Sequence, residues 1–277
     1  MNEQHPVLEH LERTAERVWT PCGEGARMVW RRWGSGRPLV LLHGGAGSWM
    51  HWARNIEALA AHRTVWAPDM PGFADSDLPR GGLDADSIAD IVASNLPQIL
   101  GAQHFDLVGF SFGALVSSYI AAQAPPGLDR LIVVSGAGLG LLGPMPVLQP
   151  VVRVTDPHAR RESLRFNLQA MMLHDPASID DLAIEIQARS ATRERVKGRR
   201  LVHTDAMRAL SERWQCRAYG IWSRQDVLYA HQFDALTARV QDLGLAAHRF
   251  IDRGGHWLLY ENAEEANQFL LQCLNHD

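Results

Sequence analysis

Gly109-Phe110-Ser111-Phe112-Gly113 is the stretch on which the reading of this chain turns. It fits G-x-S-x-G, and its flanks fit as well: residues 105–110 read as an apolar strand and residues 112–124 as a helix. A sharp strand-to-helix turn puts Ser111 in a strained backbone conformation and presents its hydroxyl. Side chains at 109 and 113 would collide with the backbone there, which explains both glycines. Gly113 and Ala114 also let the new helix lie close on the sheet.

Outward from this turn, the same grammar repeats. Toward the N-terminus, residues 38–42 and 64–68 are short apolar runs closed by turn residues, as strands buried on both faces are. Residues 27–33 read as a further strand and residues 5–18 as a short polar helix. Ser48 can cap a helix to about residue 62, and residues 85–100 form another with Ile88, Ile91, Val92 and Leu96 on one face. On the other side, residues 128–134 are a strand. Strands alternating with helices imply crossover units and a mostly parallel sheet covered on both faces, an α/β fold. The alternation stops at Ser135. Residues 136–150 are rich in Gly, Pro and Leu, and helices are expected at 160–173, 179–188, 191–202 and 204–213. Alternation resumes with a strand at 216–222, a helix at about 229–243, a strand at 248–251 and a helix at 261–274. The expected organisation is therefore a core of residues 1–135 and 214–277, with a helical cap, or lid, inserted at 136–213.

A serine hydroxyl is a weak nucleophile and needs a base. Among 13 histidines, His256 stands out in Gly254-Gly255-His256-Trp257, just after the last strand and hence on the carboxyl edge of the sheet with Ser111. Asp226 follows the strand at 216–222 on that edge, in Ser223-Arg224-Gln225-Asp226. It is the preferred group to orient the imidazole. Asp252 competes, but at four residues before His256 it reaches the far side of that ring awkwardly. For the oxyanion, the N–H of Phe112 opens a helix directly after the nucleophile. Gly45, with Ala46 in reserve, supplies the second donor from the loop after residues 38–42. Ala46, Phe110 and Trp257 are expected to face the substrate. His43 reads better as a loop-fixing hydrogen-bond group than as a chemical one.

Composition narrows the alternatives. The chain has 277 residues, 46% hydrophobic and 21% charged, so disorder, collagen and coiled coil fit poorly. A formal net charge of −4 gives no global attraction to nucleic acid or anionic lipid. Cys22, Cys216 and Cys273 are odd in number and widely spaced, which argues for free thiols in a reducing compartment. Glu3, Glu9, Glu12 and Glu16 stand where a signal peptide needs an apolar stretch, and no apolar run is long enough to span a membrane. The expectation is a cytoplasmic protein whose partner is a small-molecule substrate, with a homodimer as an open option and neither nucleic acid nor membrane engaged. No metal or cofactor is expected, since no His/carboxylate set has ligand spacing and no Gly-rich phosphate loop is evident. The basic cluster Arg193, Arg195, Lys197, Arg199 and Arg200 reads as a solvated helix face. Arg160 and Arg161 are weak candidates for gripping a substrate carboxylate. Trp49 and Trp52 read as core at least as well as pocket, and Met70, Met171 and Met172 as packing.

With these residues quoted, the chain resembles the α/β-hydrolase superfamily over nearly all its length. The resemblance is carried by His43-Gly44-Gly45, Asp69-Met70-Pro71-Gly72, the elbow at Ser111, Asp226 and Gly255-His256, in the order Ser, Asp, His. Within the superfamily it is similar to the esterase and meta-cleavage-product hydrolase group; His256-Trp257 and the stretch Leu173-His174-Asp175 followed by Ile179 echo the latter. Phe110 stands where that carbon–carbon hydrolase group carries asparagine, Gln187 with nearby Arg189 where it carries a lid arginine, and Gly47-Ser48 where it has a Gly-Pro step. The resemblance implies hydrolysis of a small apolar ester through an acyl-enzyme. The alternatives are carbon–carbon cleavage of a 2-hydroxy-6-oxo-dienoic acid and a low-turnover ligand-binding protein on the same fold. Dehalogenases and epoxide hydrolases of the resembling families use an aspartate at the elbow, where this chain has Ser111.

Overall fold

The computed structural model describes residues 4–275. Glu3, quoted above, lies outside the described residues. An eight-stranded sheet runs through the molecule in the order β1 (Glu16–Gly23), β2 (Ala26–Trp33), β4 (Thr64–Pro68), β3 (Pro38–Leu42), β5 (Phe105–Phe110), β6 (Leu128–Val134), β7 (Arg217–Ser223), β8 (Ala247–Ile251). β2 pairs antiparallel with β1 and β4; every other pairing is parallel. The helices are α1 (Pro6–Thr14), α2 (Ile56–Ala60), α3 (Ala85–Leu100), α4 (Phe112–Ala122), α5 (Pro157–Met171), α6 (Asp181–Ala191), α7 (Ala206–Ser211), α8 (Phe233–Gln241), α9 (Leu258–Glu261) and α10 (Ala263–Asn275). This is the expected α/β architecture. No helix among the described residues is long and apolar enough to cross a membrane.

Strand alternation builds two apolar layers, one on each face. Leu39, Leu41, Val108, Phe110, Ile132 and Val134 point into one layer with Trp49, Trp52 and α10. Val40, Leu42, Leu107, Leu131 and Val133 point into the other with α3 and α4. Successive strand side chains alternate faces, so a central strand needs apolar residues throughout to supply both. All of β3, β4 and β5 is buried.

Three expectations are corrected. The helix expected at 5–18 ends at Thr14, and β1 begins at Glu16. β1 is an edge strand whose side chains are mostly exposed, so it lacks the apolar signal of the central strands. The single helix from Ser48 is a 3-10 turn, Trp49–Trp52, followed by α2; Ser48 Oγ does cap it, accepting from Met50 N at 3.3 Å. The helix expected at 191–202 is absent. Between α6 and a 3-10 turn at Leu201–His203 the chain runs without regular structure. Gly198 has φ 76° there, and Arg195 N donates to Gly72 O at 2.9 Å instead of to a helical carbonyl. The whole stretch between β6 and β7 holds no strand.

Candidate functional site

Ser111 sits between β5 and α4 with φ 54° and ψ −114°. This is left-handed backbone that non-glycine residues rarely adopt, and it marks a site held under strain by its surroundings. The neighbours make room for it. A Cβ on Gly109 would fall 2.3 Å from Gly113 O and 2.5 Å from Ala114 Cα, and one on Gly113 would fall 2.4 Å from the carbonyl oxygens of both Leu42 and His43. Both glycines are thus required by backbone proximity, as the sequence suggests. Ser111 N donates to Val134 O at 2.8 Å, which ties the turn to the next strand.

The loops after β7 and β8 bring two partners to that hydroxyl. His256 Nε2 lies 2.8 Å from Ser111 Oγ, and His256 Nδ1 lies 2.8 Å from Asp226 Oδ2. Asp226 is fully buried and His256 nearly so. The second carboxylate oxygen of Asp226 accepts from Leu228 N at 3.0 Å, so neither oxygen is left bare. The Tyr229 hydroxyl, donating to Gly136 O at 2.7 Å, is pushed well above the ordinary tyrosine range by burial and, second, by the Asp226 charge. Asp252 is turned out to solvent, 3.0 Å from Arg224 Nε, and takes no part.

The loop after β3 closes the third side. His43 donates from Nδ1 to Gly44 O at 2.8 Å and accepts at Nε2 from Met70 N at 3.0 Å, so it fixes the loops after β3 and β4 to each other. Gly44 N donates to His51 Nδ1 at 3.2 Å. Burial holds His43 below the ordinary histidine range and His51 well below it. Both rings are therefore neutral props of the loop, His51 resting edge-on against Phe110. Gly45 and Phe112 border one cavity with Ser111 and His256. Phe112 opens α4, so its N–H has no acceptor within the helix.

That cavity measures about 490 Å³. Ala46 and Phe110 line it. Trp257 does not: it is wholly buried, donates from Nε1 to His51 O at 2.9 Å and lies against Tyr260. Its bulk serves packing because the loop after β8 turns it into the layer behind His256. Trp49, Trp52 and Met70 are core as well, whereas Met171 and Met172 line the cavity. Arg161 pairs with Asp181 away from it. A cleft of about 690 Å³ beside the C-terminal end of α3 and the turn at 125–127 holds none of these groups.

The cavity wall also contains a residue missed in the basic cluster. Arg199 lines it, with its guanidinium 5.3 Å from the Phe112 ring centre and packed on Gly45, where a Cβ would fall 1.4 Å from Nη1. Glu194 holds it at 3.3 Å; burial raises the Glu194 carboxyl, against the pull of Arg199 and of the Ala46 N–H. Arg195 pins the same segment, its side chain donating to Gly72 O, Ala74 O and Ser76 O, while Arg193 pairs with Asp75. The cluster is therefore solvent-exposed at Arg193, Arg195, Lys197 and Arg200, as expected, but it lies on an irregular segment and not on a helix, and Arg199 turns to the cavity. Gly198, just before Arg199, is the sequence signal against a helix there. Among the described residues no group of three or more His, Cys, Asp or Glu is placed to hold a metal ion.

Residues 37–178 match the family model described as the alpha/beta hydrolase fold. The chain is 39% identical over 109 residues to a soluble epoxide hydrolase of Corynebacterium sp. (strain C12), covering 39% of this chain and 38% of that one. It is 26% identical over 264 residues to a 2-hydroxy-6-oxo-6-phenylhexa-2,4-dienoate hydrolase of Comamonas testosteroni, covering 87% and 88%. The matches with four curated relatives, the epoxide hydrolase among them, span 38, 64, 38 and 40% of those proteins' lengths. In structure it is similar to a putative aryl esterase from Burkholderia cenocepacia, with a TM-score of 0.73 at 20% identity over 94% of this chain and 100% of that one.

Proposed function

We propose that this chain, a hydrolase that belongs to the alpha/beta hydrolase fold family, works through a serine nucleophile on a small, largely apolar carboxylic ester. The observation that carries the reading is the unbroken chain Ser111 Oγ, His256, Asp226 at 2.8 and 2.8 Å, opening on the cavity. His256 Nε2 takes the proton from Ser111 Oγ as that oxygen bonds to the ester carbonyl carbon. Asp226 orients the imidazole and stabilises its charged form. The N–H groups of Gly45 and Phe112 receive the oxyanion, where one such donor typically contributes about 100- to 1,000-fold in rate. As the carbonyl re-forms, the alkoxide leaves with the proton from His256. Water then gives a proton to the same nitrogen, attacks the acyl-enzyme and releases the acid, and the proton returns to Ser111. Residues 136–213 act as the lid over this site, since Met171, Met172 and Arg199 from that segment wall the cavity.

A second reading has its own support. Arg199 places a cation in the cavity wall, suited to a substrate carboxylate, and the Comamonas testosteroni relative is named for a dienoate. Cleavage of a carbon–carbon bond in a 2-hydroxy-6-oxo-dienoic acid fits both. An aspartate nucleophile for epoxide opening is disfavoured by Ser111 itself.

The test is turnover of p-nitrophenyl butyrate beside a panel of coloured dienones, with Ser111→Ala as control. Ester turnover that the variant loses by at least about 10,000-fold supports the serine mechanism. Equal activity in the variant sinks it. Decay of a dienone faster than the ester selects the second reading, and tight binding without turnover selects a ligand-binding protein.

A further inference from the structure

The loop that carries His256 is held by a carboxylate outside the triad. Glu261, at the end of α9, accepts three backbone N–H bonds. Its Oε2 receives Gly255 N at 2.5 Å and His174 N at 3.0 Å, and its Oε1 receives Asp175 N at 2.6 Å. Gly255 is the residue before His256, whereas His174 and Asp175 form the turn after α5 in the stretch between β6 and β7. One oxygen thus bridges two segments more than eighty residues apart in the chain (Gly255 and His174). The two backbones touch here: a Cβ on Gly255 would fall 2.7 Å from both His174 N and Met172 O. Trp257 N, on the other side of His256, donates to Met172 O at 2.7 Å. Ser223 Oγ donates to Gly254 O and holds the loop from the sheet side.

We propose that Glu261 is a positioning residue that couples the placement of the inserted segment to the aim of the His256 imidazole. The inference rests on the reading of His256 as the base. Its physical content lies in the shared oxygen. A carboxylate can accept at both oxygens, and charge-assisted bonds of this kind are the stronger ones. An amide at this position offers one acceptor and turns an NH₂ group toward a backbone donor, so it cannot serve all three N–H groups. With the bridge broken, the turn at 174–175 and the loop at 254–256 are joined here only through the Trp257 N–Met172 O bond and backbone contact, and Nε2 loses its fixed approach to Ser111 Oγ. Displacements of about 1 Å at a reacting group can cost on the order of 100-fold in rate.

The experiment compares wild type, Glu261→Gln and Glu261→Ala on p-nitrophenyl butyrate, with labelling of Ser111 by a fluorophosphonate probe. The low-field NMR signal of the proton between His256 Nδ1 and Asp226 is recorded alongside. Expected are a fall in kcat of about 10- to 100-fold with KM nearly unchanged, and slower labelling. The low-field proton signal broadens. Glu261→Gln, close in shape to the native residue, retains the fold and shows the smaller effect. If the alanine variant does not fold, the glutamine variant and its proton signal decide. Wild-type labelling rate, kcat and proton signal in Glu261→Gln, whatever its melting temperature, would overturn the proposal and leave Glu261 a structural cap. Absence of labelling in the wild type would instead overturn the serine mechanism on which the proposal rests.

Discussion

The carboxyl edge of the sheet and the irregular segment between α6 and the turn at Leu201–His203 face each other across one cavity, yet they are built by opposite means. At the sheet edge, position is set by backbone: β5, β7 and β8 are neighbours or near neighbours in a parallel array, and each ends at a loop that delivers one of Ser111, Asp226 and His256. Glycines at 109 and 113 are fixed by contacts with other main-chain atoms. The irregular segment has no ladder of its own. It is pinned by side chains, chiefly Arg195 on three carbonyls and Arg193 on Asp75, and it presents Arg199. In the proposed mechanism the reacting groups are placed chiefly by the strand ends of the sheet, with the Ser223 and Glu261 side chains steadying the His256 loop. Arg199, which the proposed function sets against the substrate, is placed by side chains outside the sheet.

Substitutions on the two sides should therefore fail differently. The largest effect is expected at the sheet edge: Asp226→Asn keeps the shape and loses the charge, and kcat should fall about 10,000-fold with the melting temperature nearly held. A fall of less than tenfold would mean that the edge does not govern the chemistry. Across the cavity, Arg195→Ala should release the irregular segment. KM is expected to rise about tenfold, the equivalent of one charged hydrogen bond, while kcat stays within about twofold. A collapse of kcat instead would show that the two walls are not independent. The smallest effect concerns the neutral props. Burial lowers His43 and His51, whereas the unfolded chain binds protons near the usual value of 6.5. The unfolded state then holds more protons between the lowered value and 6.5, so stability is full above that window and declines as pH falls through it. The melting temperature should drop from about pH 7 to about pH 5, and His51→Gln should flatten that slope. An unchanged slope would remove His51 from the account.

What the sequence discloses follows the same division. Central strands announce themselves because both faces are buried, and the Ser111 turn because backbone collisions leave only glycine at 109 and 113. β1 is silent because an edge strand with mostly exposed side chains needs no apolar pattern. Arg199 is silent for another reason. A run of Arg, Glu and Lys reads alike whether it coats a helix or crosses a cavity, and only the contacts of Arg195 with Gly72, Ala74 and Ser76 decide which. Trp257 misleads because a large aromatic beside a base suits a pocket wall and a packed layer equally well. Glu261 shows no local pattern, since its partners are main-chain N–H groups that any sequence supplies.

The distance in the chain between Ser111 and His256, 145 residues, has a consequence in time. Contacts that join such remote residues form late, because the loop they close must first lose its freedom. The strand that delivers His256, β8, is one of the two edge strands of the sheet and, among the described residues, pairs only with β7. During refolding from denaturant, spectroscopic signals of the central strands can return before this strand docks, but the Ser111–His256 contact on which the proposed mechanism depends cannot form until it does. Recovered activity would then serve as a clock for the final step of assembly.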